Sequence, residues 1–123
     1  MTAHIVYGAI DAENPGSSSP GVVHGIIRDA IGFQGLLFSD DVCMKALTGP
    51  IDQRVRSVLD AGCDVALHCD GNFEDMVAIA GNCPEMRPDS TERLNAARPG
   101  RGDSRPVDRE AAKQRISAFL GAV

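Results

Sequence analysis

Two adjacent aspartates, Asp40 and Asp41, are the residues of this chain best placed to do chemistry. They follow a continuous apolar run at 36–38, which is typical of a strand buried on both faces. In a parallel α/β fold, polar side chains at the carboxyl ends of strands face the ligand site. Adjacent strand residues point to opposite faces, so only one of the two aspartates should face a pocket. Residue type alone leaves a second interpretation open, in which the pair caps a turn before a short helix.

Two histidines lie outside this pair. His68 ends a later predicted strand and faces the same expected mouth, but a structural or exposed role is the favoured interpretation. His24 falls within a predicted helix and is interpreted as a surface or interface residue.

The elements that must hold these side chains alternate between strands and helices. Apolar and β-branched residues predict three strands, at 1–10, 35–40 and 64–68. Apolar residues at three-to-four spacing predict helices over 20–30, 51–61 and 72–82. In the third helix, the side chains expected to turn inward are Phe73, Met76, Val77 and Ala80.

The order of these elements predicts the fold class α/β, with parallel strands joined by crossover helices. About three βα units are present, which is less than half of a (β/α)8 barrel of roughly 250 residues. We therefore predict a partial TIM barrel with additional C-terminal helices, and a small open sheet is the alternative.

The C-terminal part of the chain differs in composition. A short helix is predicted over 86–97, and residues 98–106 are rich in Gly, Pro and Arg, which is typical of a linker. An amphipathic helix follows at about 107–120. The predicted division is a partial barrel at 1–97, a linker at 98–106 and a C-terminal helical segment at 107–123.

The composition excludes several classes of partner. The formal net charge is -5, with 12 basic and 17 acidic residues, so nucleic acid is not an expected ligand. No apolar run approaches the roughly 20 residues that span a bilayer, so we expect no membrane association. The first seven residues lack the features of a signal peptide, and a cytoplasmic location is expected.

The four cysteines, Cys43, Cys63, Cys69 and Cys83, do not form paired CxxC motifs. Structural zinc is therefore not predicted, and we expect no metal ligands and no cofactor. Cys63 precedes an apolar run and is expected to pack as a small hydrophobic residue. Disulfides are not expected in a chain without an export signal.

The stretch GFQGLLFSDDVCM at 32–44 resembles the nucleophile signature of glycoside hydrolase family 3. The shared features are a Gly-Phe-x-Gly turn, an apolar strand, Ser-Asp and a Met four residues after the Asp. MTAHIVY, SSSPGVVHGIIRDAIGF and LDAGCDVALHCDGN resemble neighbouring blocks of the bacterial β-N-acetylglucosaminidases of cell-wall recycling. The resemblance covers residue 1 to about residue 72 in consistent order, nearly 60% of the chain.

The resemblance implies a retaining glycosidase in which Asp40 is the nucleophile and forms a glycosyl-enzyme with the sugar. His4 matches a family histidine near the sugar site and is a candidate substrate-binding residue; the alternative is a hydrogen-bonded histidine at a strand end. Met44 matches the signature methionine and is expected to pack beneath the pocket. Asp41 is expected to cap a helix or to accept supporting hydrogen bonds.

Other parts of the family's active site have no counterpart in these 123 residues. The acid/base His–Asp pair, a Lys–His pair and an Arg that hold the N-acetylated sugar would all precede the block that begins this chain. Without them most transition-state stabilisation is missing. We therefore expect little or no hydrolase activity from this chain alone.

Three functions follow from these observations. The first is a β-N-acetylhexosaminidase acting on N-acetylglucosamine-containing glycans such as peptidoglycan fragments, incomplete in this chain. The second is a non-catalytic half-barrel binding module that retains the scaffold without the chemistry. The third is an assembly module that completes its barrel by self-association or with an N-terminal piece, because exposed strand edges invite pairing.

Overall fold

The computed structural model describes residues 1–98 and 106–121. Two short strands and a series of helices form the architecture. The strands are β1 (Phe38–Asp41) and β2 (Val65–Leu67). The helices are a 3-10 turn at Gly16–Ser18, a π-type helix at Gly21–Ala30, α1 (Ile51–Asp60), α2 (Phe73–Asn82), α3 (Pro88–Ala97) and α4 (Arg109–Leu120).

The two strands pair in parallel, with Phe38 opposite Val65 and Asp41 opposite Leu67. β1 holds one residue more than β2 between these pairs, so the ladder contains a bulge. α1 lies between the strands in the chain, as a crossover between parallel strands requires. The α/β class is thus confirmed, and two of the three predicted strands are present in shortened form.

The strand predicted over 1–10 is wrong. Within residues 1–98 and 106–121, its pairing in β geometry is limited to one antiparallel bridge between Val6 and Pro15. The segment still lies against the sheet, because the Thr2 N–H donates to the Phe38 carbonyl at 2.9 Å. Ile5, Val6 and Tyr7 are exposed. Strand propensity alone does not make a strand where these side chains have little to pack against.

The core forms where α1, β1 and the π-type helix meet. Val23, Val42, Val58 and Cys63 are fully buried within it. Cys63 packs there as a small hydrophobic residue, as predicted. The Cys63 thiol also lies 3.7 Å from the Ser17 carbonyl oxygen, and burial raises its pKa to about 11.

The first predicted helix is present but wound more widely than an α-helix. Its turns follow the i to i+5 pattern, as in the bond from the Ile31 N–H to the Ile26 carbonyl. The Ser19 hydroxyl accepts the Val22 N–H at 3.3 Å at the start of this helix. Gly32 follows the helix with a φ of 71°, a conformation in which glycine is favoured and the helix ends.

α2 begins at an Asn72 cap, whose side chain accepts the N–H groups of Glu74 and Asp75. The face of α2 was predicted wrongly. Phe73 is 74% exposed, and Met76 and Val77 are also exposed. Ile79 instead packs against the core. Among the described residues α2 has only α1 as a major helical neighbour, so most of its apolar surface faces outward.

α3 is attached to the core through the buried carboxylate of Asp64. The Ser90 hydroxyl and the Arg93 guanidinium donate to Asp64 Oδ1 at 2.6 and 2.8 Å. Arg28 and the Leu37 N–H donate to Oδ2 at 2.7 and 2.8 Å. This carboxylate therefore connects the π-type helix, the residue before β1 and α3, because each supplies part of its hydrogen bonding.

α4 confirms the predicted C-terminal helix and begins at an Asp108 cap. Its large apolar side chains are exposed, with Phe119 at 76% and Leu120 at 66%. Most of the predicted linker at 98–106 lies outside the described residues. None of the helices in the described parts of the chain is long and apolar enough to cross a membrane.

Candidate active site

Asp40 lies within β1, one residue before the strand ends. Its side chain is half-buried, and its Oδ1 accepts the backbone N–H of Asp41 at 2.9 Å. Within residues 1–98 and 106–121, no salt bridge involves Asp40. The carboxylate is therefore held by one local hydrogen bond and is not neutralised by a cation there.

Asp41 has a different environment from its neighbour. Its Oδ1 accepts the N–H groups of Cys43 at 3.0 Å and Cys69 at 3.2 Å. Burial works against ionisation of Asp41, but these backbone hydrogen bonds outweigh it and lower the pKa of the carboxyl. Asp41 thus has the supporting role predicted for it, because its charged form joins the ends of β1 and β2.

The bulge in β1 places Ser39 between the strands. Ser39 is fully buried, and its hydroxyl accepts the Leu67 N–H at 3.1 Å while donating to the Asp40 carbonyl at 2.7 Å. At the bulge, the Ser39 hydroxyl therefore accepts the hydrogen bond that a backbone carbonyl would accept in a regular strand pair. Bulges often re-aim a side chain next to an active site, and this one adjoins Asp40.

His4 reaches the same strand end from the N-terminal segment. Its Nε2 lies 2.9 Å from the Asp41 carbonyl oxygen. A carbonyl can only accept, so Nε2 must carry the proton of this hydrogen bond. His4 Nδ1 is buried and has no hydrogen-bond partner among the described residues. His4 is thus placed beside the two aspartates; a role in substrate binding stays a prediction.

His68 and Asp70 follow β2 at its carboxyl end. His68 Nε2 lies 3.0 Å from Asp70 Oδ1, and the His68 side chain is 13% exposed. The two atoms are close but not aligned for a hydrogen bond, so this nitrogen has no hydrogen-bond partner in the described parts of the chain. His24, by contrast, is exposed on the π-type helix, as predicted for a surface residue.

Cysteine side chains complete this edge of the sheet. Burial and the nearby Asp41 raise the pKa of the half-buried Cys43 thiol. The pKa of the exposed Cys69 thiol is raised by local desolvation and by the negative charges of Asp41, Asp40 and Asp70. All four cysteines of the chain are free thiols.

Sequence reasoning missed one group of side chains at this edge. Cys43, His68 and Asp70 each present one donor atom, and these three atoms lie within 4.8 Å of one another. The signal that could have found them is the parallel pairing itself, because residues that follow neighbouring parallel strands emerge at one edge.

Met44 does not have the position predicted for it. Its side chain is 45% exposed, so it does not pack beneath a pocket in this chain. The residue follows a turn after β1.

The arrangement suits an attack by Asp40 on an electrophilic carbon. The carboxylate stands at the end of a strand, has no salt-bridge partner in the described ranges and adjoins the hydrogen-bonded Asp41. A nucleophilic carboxylate needs an ionised, accessible oxygen held in a fixed direction. Asp40 has the geometry that such a carboxylate needs, and its role as a nucleophile stays a prediction.

Known proteins resemble the chain over most of its length. The sequence pattern of the family described as "Glycosyl hydrolase family 3 N terminal domain" matches residues 1–93. A protein named β-hexosaminidase from Thiobacillus denitrificans is 48% identical over 71 residues, 56% of this chain and 20% of the relative. One of the same name from Alkalilimnicola ehrlichii is 38% identical over 96 residues, 76% of this chain and 27% of the relative.

A solved structure shares the fold. The crystal structure of CbsA from Thermotoga neapolitana aligns with a TM-score of 0.56 and 26% identity, over 79% of this chain and 20% of that one. The chain thus spans only about a fifth to a quarter of the length of these known proteins. The family match covers residues 1–93 and includes Asp40, so the chain belongs to glycosyl hydrolase family 3.

Proposed function

We propose that the chain carries the nucleophile side of a retaining β-N-acetylhexosaminidase active site. Asp40 would be the nucleophile, and the substrate a glycan with a terminal N-acetylglucosamine, such as a peptidoglycan fragment. The observation that carries the proposal is the Asp40 carboxylate at the end of a parallel strand, with no salt bridge to it among the described residues. Relatives named β-hexosaminidase support the same chemistry.

In the proposed reaction, an Asp40 oxygen forms a bond to the anomeric carbon while the bond to the leaving oxygen breaks. A second group protonates that oxygen. It then takes a proton from the water that cleaves the glycosyl-enzyme and frees the carboxylate. Asp41 would keep the strand end rigid, because its hydrogen bonds to Cys43 and Cys69 fix the backbone on which Asp40 stands.

The second group would come from outside the chain described here. Residues 1–97 would then be part of a (β/α)8 barrel, in which β1 and β2 are neighbouring strands. The chain's share of its relatives, 20% and 27%, is in keeping with a portion of such a barrel. On this view the chain alone has little or no activity. The proposed location is the cytoplasm.

His4 is proposed to contact the sugar from the side of the N-terminal segment. Its Nε2 is committed to the Asp41 carbonyl, which would leave Nδ1 of a neutral ring as an acceptor for a substrate hydroxyl or amide N–H. The unpartnered state of Nδ1 among the described residues supports this role.

A chimera tests the proposed function directly. Residues 1–93 of this chain would replace the matching segment of the Alkalilimnicola ehrlichii β-hexosaminidase, and release of the aglycone from an aryl N-acetyl-β-glucosaminide would be measured. We expect an active chimera whose turnover falls by at least about a thousand-fold with Asp40→Asn, since a nucleophile is lost. Asp29→Asn, at an exposed position on the π-type helix, is the matched control.

A folded chimera that retains its activity with Asp40→Asn contradicts the proposal. Circular dichroism of both variants separates a loss of chemistry from a loss of folding. Trapping with a fluorinated substrate analogue adds a second readout, because the sugar should be found on the peptide that contains Asp40.

An assembly module is the second candidate function, and exposed apolar surface favours it. A groove of about 320 Å³ lies between the N-terminal segment and the π-type helix, lined in part by Tyr7, Ile10 and Ile31. Surfaces of this kind usually mark contacts with other protein. The partner would be a second copy or an N-terminal piece of the barrel.

Light scattering distinguishes this candidate from a chain that acts as a monomer. A concentration-dependent rise in mass, reversed by Ile31→Glu in the groove, would support assembly. A monomer at all concentrations would contradict self-association, and mixing with the N-terminal piece of a relative would then test the remaining partner.

A further inference from the structure

The carboxyl ends of β1 and β2 bring together three side chains that the proposed glycosidase reaction does not use. Cys43 follows β1, and His68 and Asp70 follow β2. Their donor atoms, a thiol sulfur, a ring nitrogen and a carboxylate oxygen, lie within 4.8 Å of one another. Residues 25 or more positions apart in sequence converge here because the two strands are parallel neighbours.

One of these donors is left without a partner. His68 Nε2 is shielded from solvent, yet it makes no hydrogen bond in the described parts of the chain, although Asp70 Oδ1 is 3.0 Å away. Buried polar atoms in folded proteins are usually satisfied by protein or water, so each exception calls for an explanation. A ligand bound between His68 and its neighbours would satisfy this nitrogen.

The chemistry of the donors selects the class of ligand. Thiolate and imidazole together disfavour Mg²⁺ and Ca²⁺, which prefer oxygen, and favour Zn²⁺ and similar borderline metals. Neighbouring ligand atoms around tetrahedral zinc lie roughly 3.4 to 3.6 Å apart, as bond lengths of about 2.0 to 2.3 Å require. The three donor atoms already lie within 4.8 Å of one another. His68 Nε2 and Asp70 Oδ1 are 3.0 Å apart, so this pair would open by a few tenths of an ångström on binding.

We propose that Cys43 Sγ, His68 Nε2 and an Asp70 carboxylate oxygen bind a single Zn²⁺ ion at the carboxyl edge of the two strands. The three side chains occupy three positions of a tetrahedron, and water takes the fourth. Binding joins the segment after β1 to the segment after β2. The Cys43 thiol loses its proton when the Zn–S bond forms, and the proton goes to solvent. This site does not depend on Asp40 acting as a nucleophile.

Cobalt titration of the full chain under a non-thiol reductant tests the site. Co²⁺ takes the same ligands as Zn²⁺ and reports a thiolate ligand by a charge-transfer absorption band. We expect this band to saturate at one Co²⁺ per chain and to disappear when Zn²⁺ displaces the cobalt. Cys43→Ser should abolish the band and weaken Zn²⁺ binding, measured against a chromophoric chelator, by at least about ten-fold.

Two further variants keep the outcome clear if Cys43→Ser folds poorly. Asp70→Asn changes an exposed residue and should weaken Zn²⁺ binding with an unchanged circular dichroism spectrum. Cys83→Ser, at the exposed C-cap of α2, is the matched control and should keep both the band and the affinity. The proposal is overturned if the natural chain shows no thiolate band, if the band survives in Cys43→Ser, or if Asp70→Asn binds Zn²⁺ as tightly as the natural chain.

Discussion

Asp41 bridges the ends of the two parallel strands, because its Oδ1 accepts the backbone N–H of Cys69 at 3.2 Å from across the sheet. The same oxygen accepts the Cys43 N–H at 3.0 Å in its own segment. One of the two adjacent aspartates is thus committed to structure, which leaves Asp40 as the carboxylate available for chemistry.

Removing the bridging carboxylate should loosen the strand ends. We expect Asp41→Ala to lower the free energy of unfolding by about 1–3 kcal/mol, since the N–H groups of Cys43 and Cys69 lose their hydrogen bonds to a charged acceptor. Urea denaturation followed by circular dichroism measures the change. Asp29→Ala, at an exposed position, should stay within about 0.5 kcal/mol of the natural chain. Equal effects of the two substitutions would show that the bridge contributes nothing.

Asp64 should be far more sensitive to substitution. Its side chain is fully buried, and Arg28, with only 9% of its side chain exposed, lies 2.7 Å away. Asp64→Ala removes one partner of a buried pair and leaves the guanidinium uncompensated, so we expect a loss of roughly 3–5 kcal/mol or failure to fold. Asp60→Ala, exposed at the end of α1, is the control. A natural-like unfolding curve for Asp64→Ala would contradict this role.

The acid sensitivity of the fold should depend on the same carboxylate. Burial opposes ionisation of Asp64, but hydrogen bonds from Ser90, Leu37 and Arg93 hold its pKa below the ordinary value of 3.8. A lowered folded-state pKa adds stability above pH 3.8 that is lost as the pH falls through the folded value. Arg28, Arg87 and Arg93 are the charges that face this group.

Ser90→Ala should therefore shift acid unfolding to a higher pH, because the Asp64 pKa rises when the 2.6 Å hydrogen bond is removed. The midpoint of acid unfolding, followed by circular dichroism, measures the shift. Ser57→Ala removes a hydroxyl that donates to the Arg54 carbonyl within α1, and its midpoint should not move. A midpoint that moves downward in Ser90→Ala would have the wrong sign for this explanation.

Gly62 and Gly81 should respond oppositely to alanine. Gly62 has a φ of 112°, and an added Cβ would lie 2.7 Å from His24 and 2.9 Å from Val23. We expect Gly62→Ala to cost about 1–3 kcal/mol through backbone strain and this crowding. Gly81 lies in α2 with open space around it, so Gly81→Ala should stabilise the fold by about 0.4–1 kcal/mol. Thermal unfolding distinguishes the two, and a stabilising Gly62→Ala would contradict the structure.

The isolated chain should release no measurable product from an aryl N-acetyl-β-glucosaminide, because we propose that the acid/base group of the reaction comes from outside it. The assay compares the natural chain with Asp40→Asn at high protein concentration. Turnover that Asp40→Asn abolishes would show that this chain is catalytically complete and would contradict the incomplete-site proposal.

Periodicity predicted the helices whose apolar faces pack against the core. In α1, Val55 and Val58 lie on the apolar face and are buried. In the π-type helix, Val23 is buried in the same way. The strand at 1–10 and the inward face of α2 were wrong for a shared reason. Ile5 and Phe73 have the right residue types, but the described residues provide too little surface to cover them.

The site was predictable in part. The position of Asp40 at a strand end followed from the apolar run before it and from the family signature. The convergence of Cys43 with His68 could not be read from local spacing, because it depends on how two segments 25 residues apart pair in the sheet. The bulge at Ser39 could not be predicted from the sequence either, since there a side-chain hydroxyl takes the place of a backbone carbonyl as the acceptor of the Leu67 N–H.

The contacts of Asp64 also bear on the order of folding events. Its partners lie 26 to 36 positions away in sequence, on both sides. Closing loops of that length costs chain entropy before any bond forms, so this carboxylate should find its partners late in folding. While Ser90 and Arg93 are still inside the ribosome, the nascent chain offers the Asp64 carboxylate only two of these four partners, Arg28 and the Leu37 N–H.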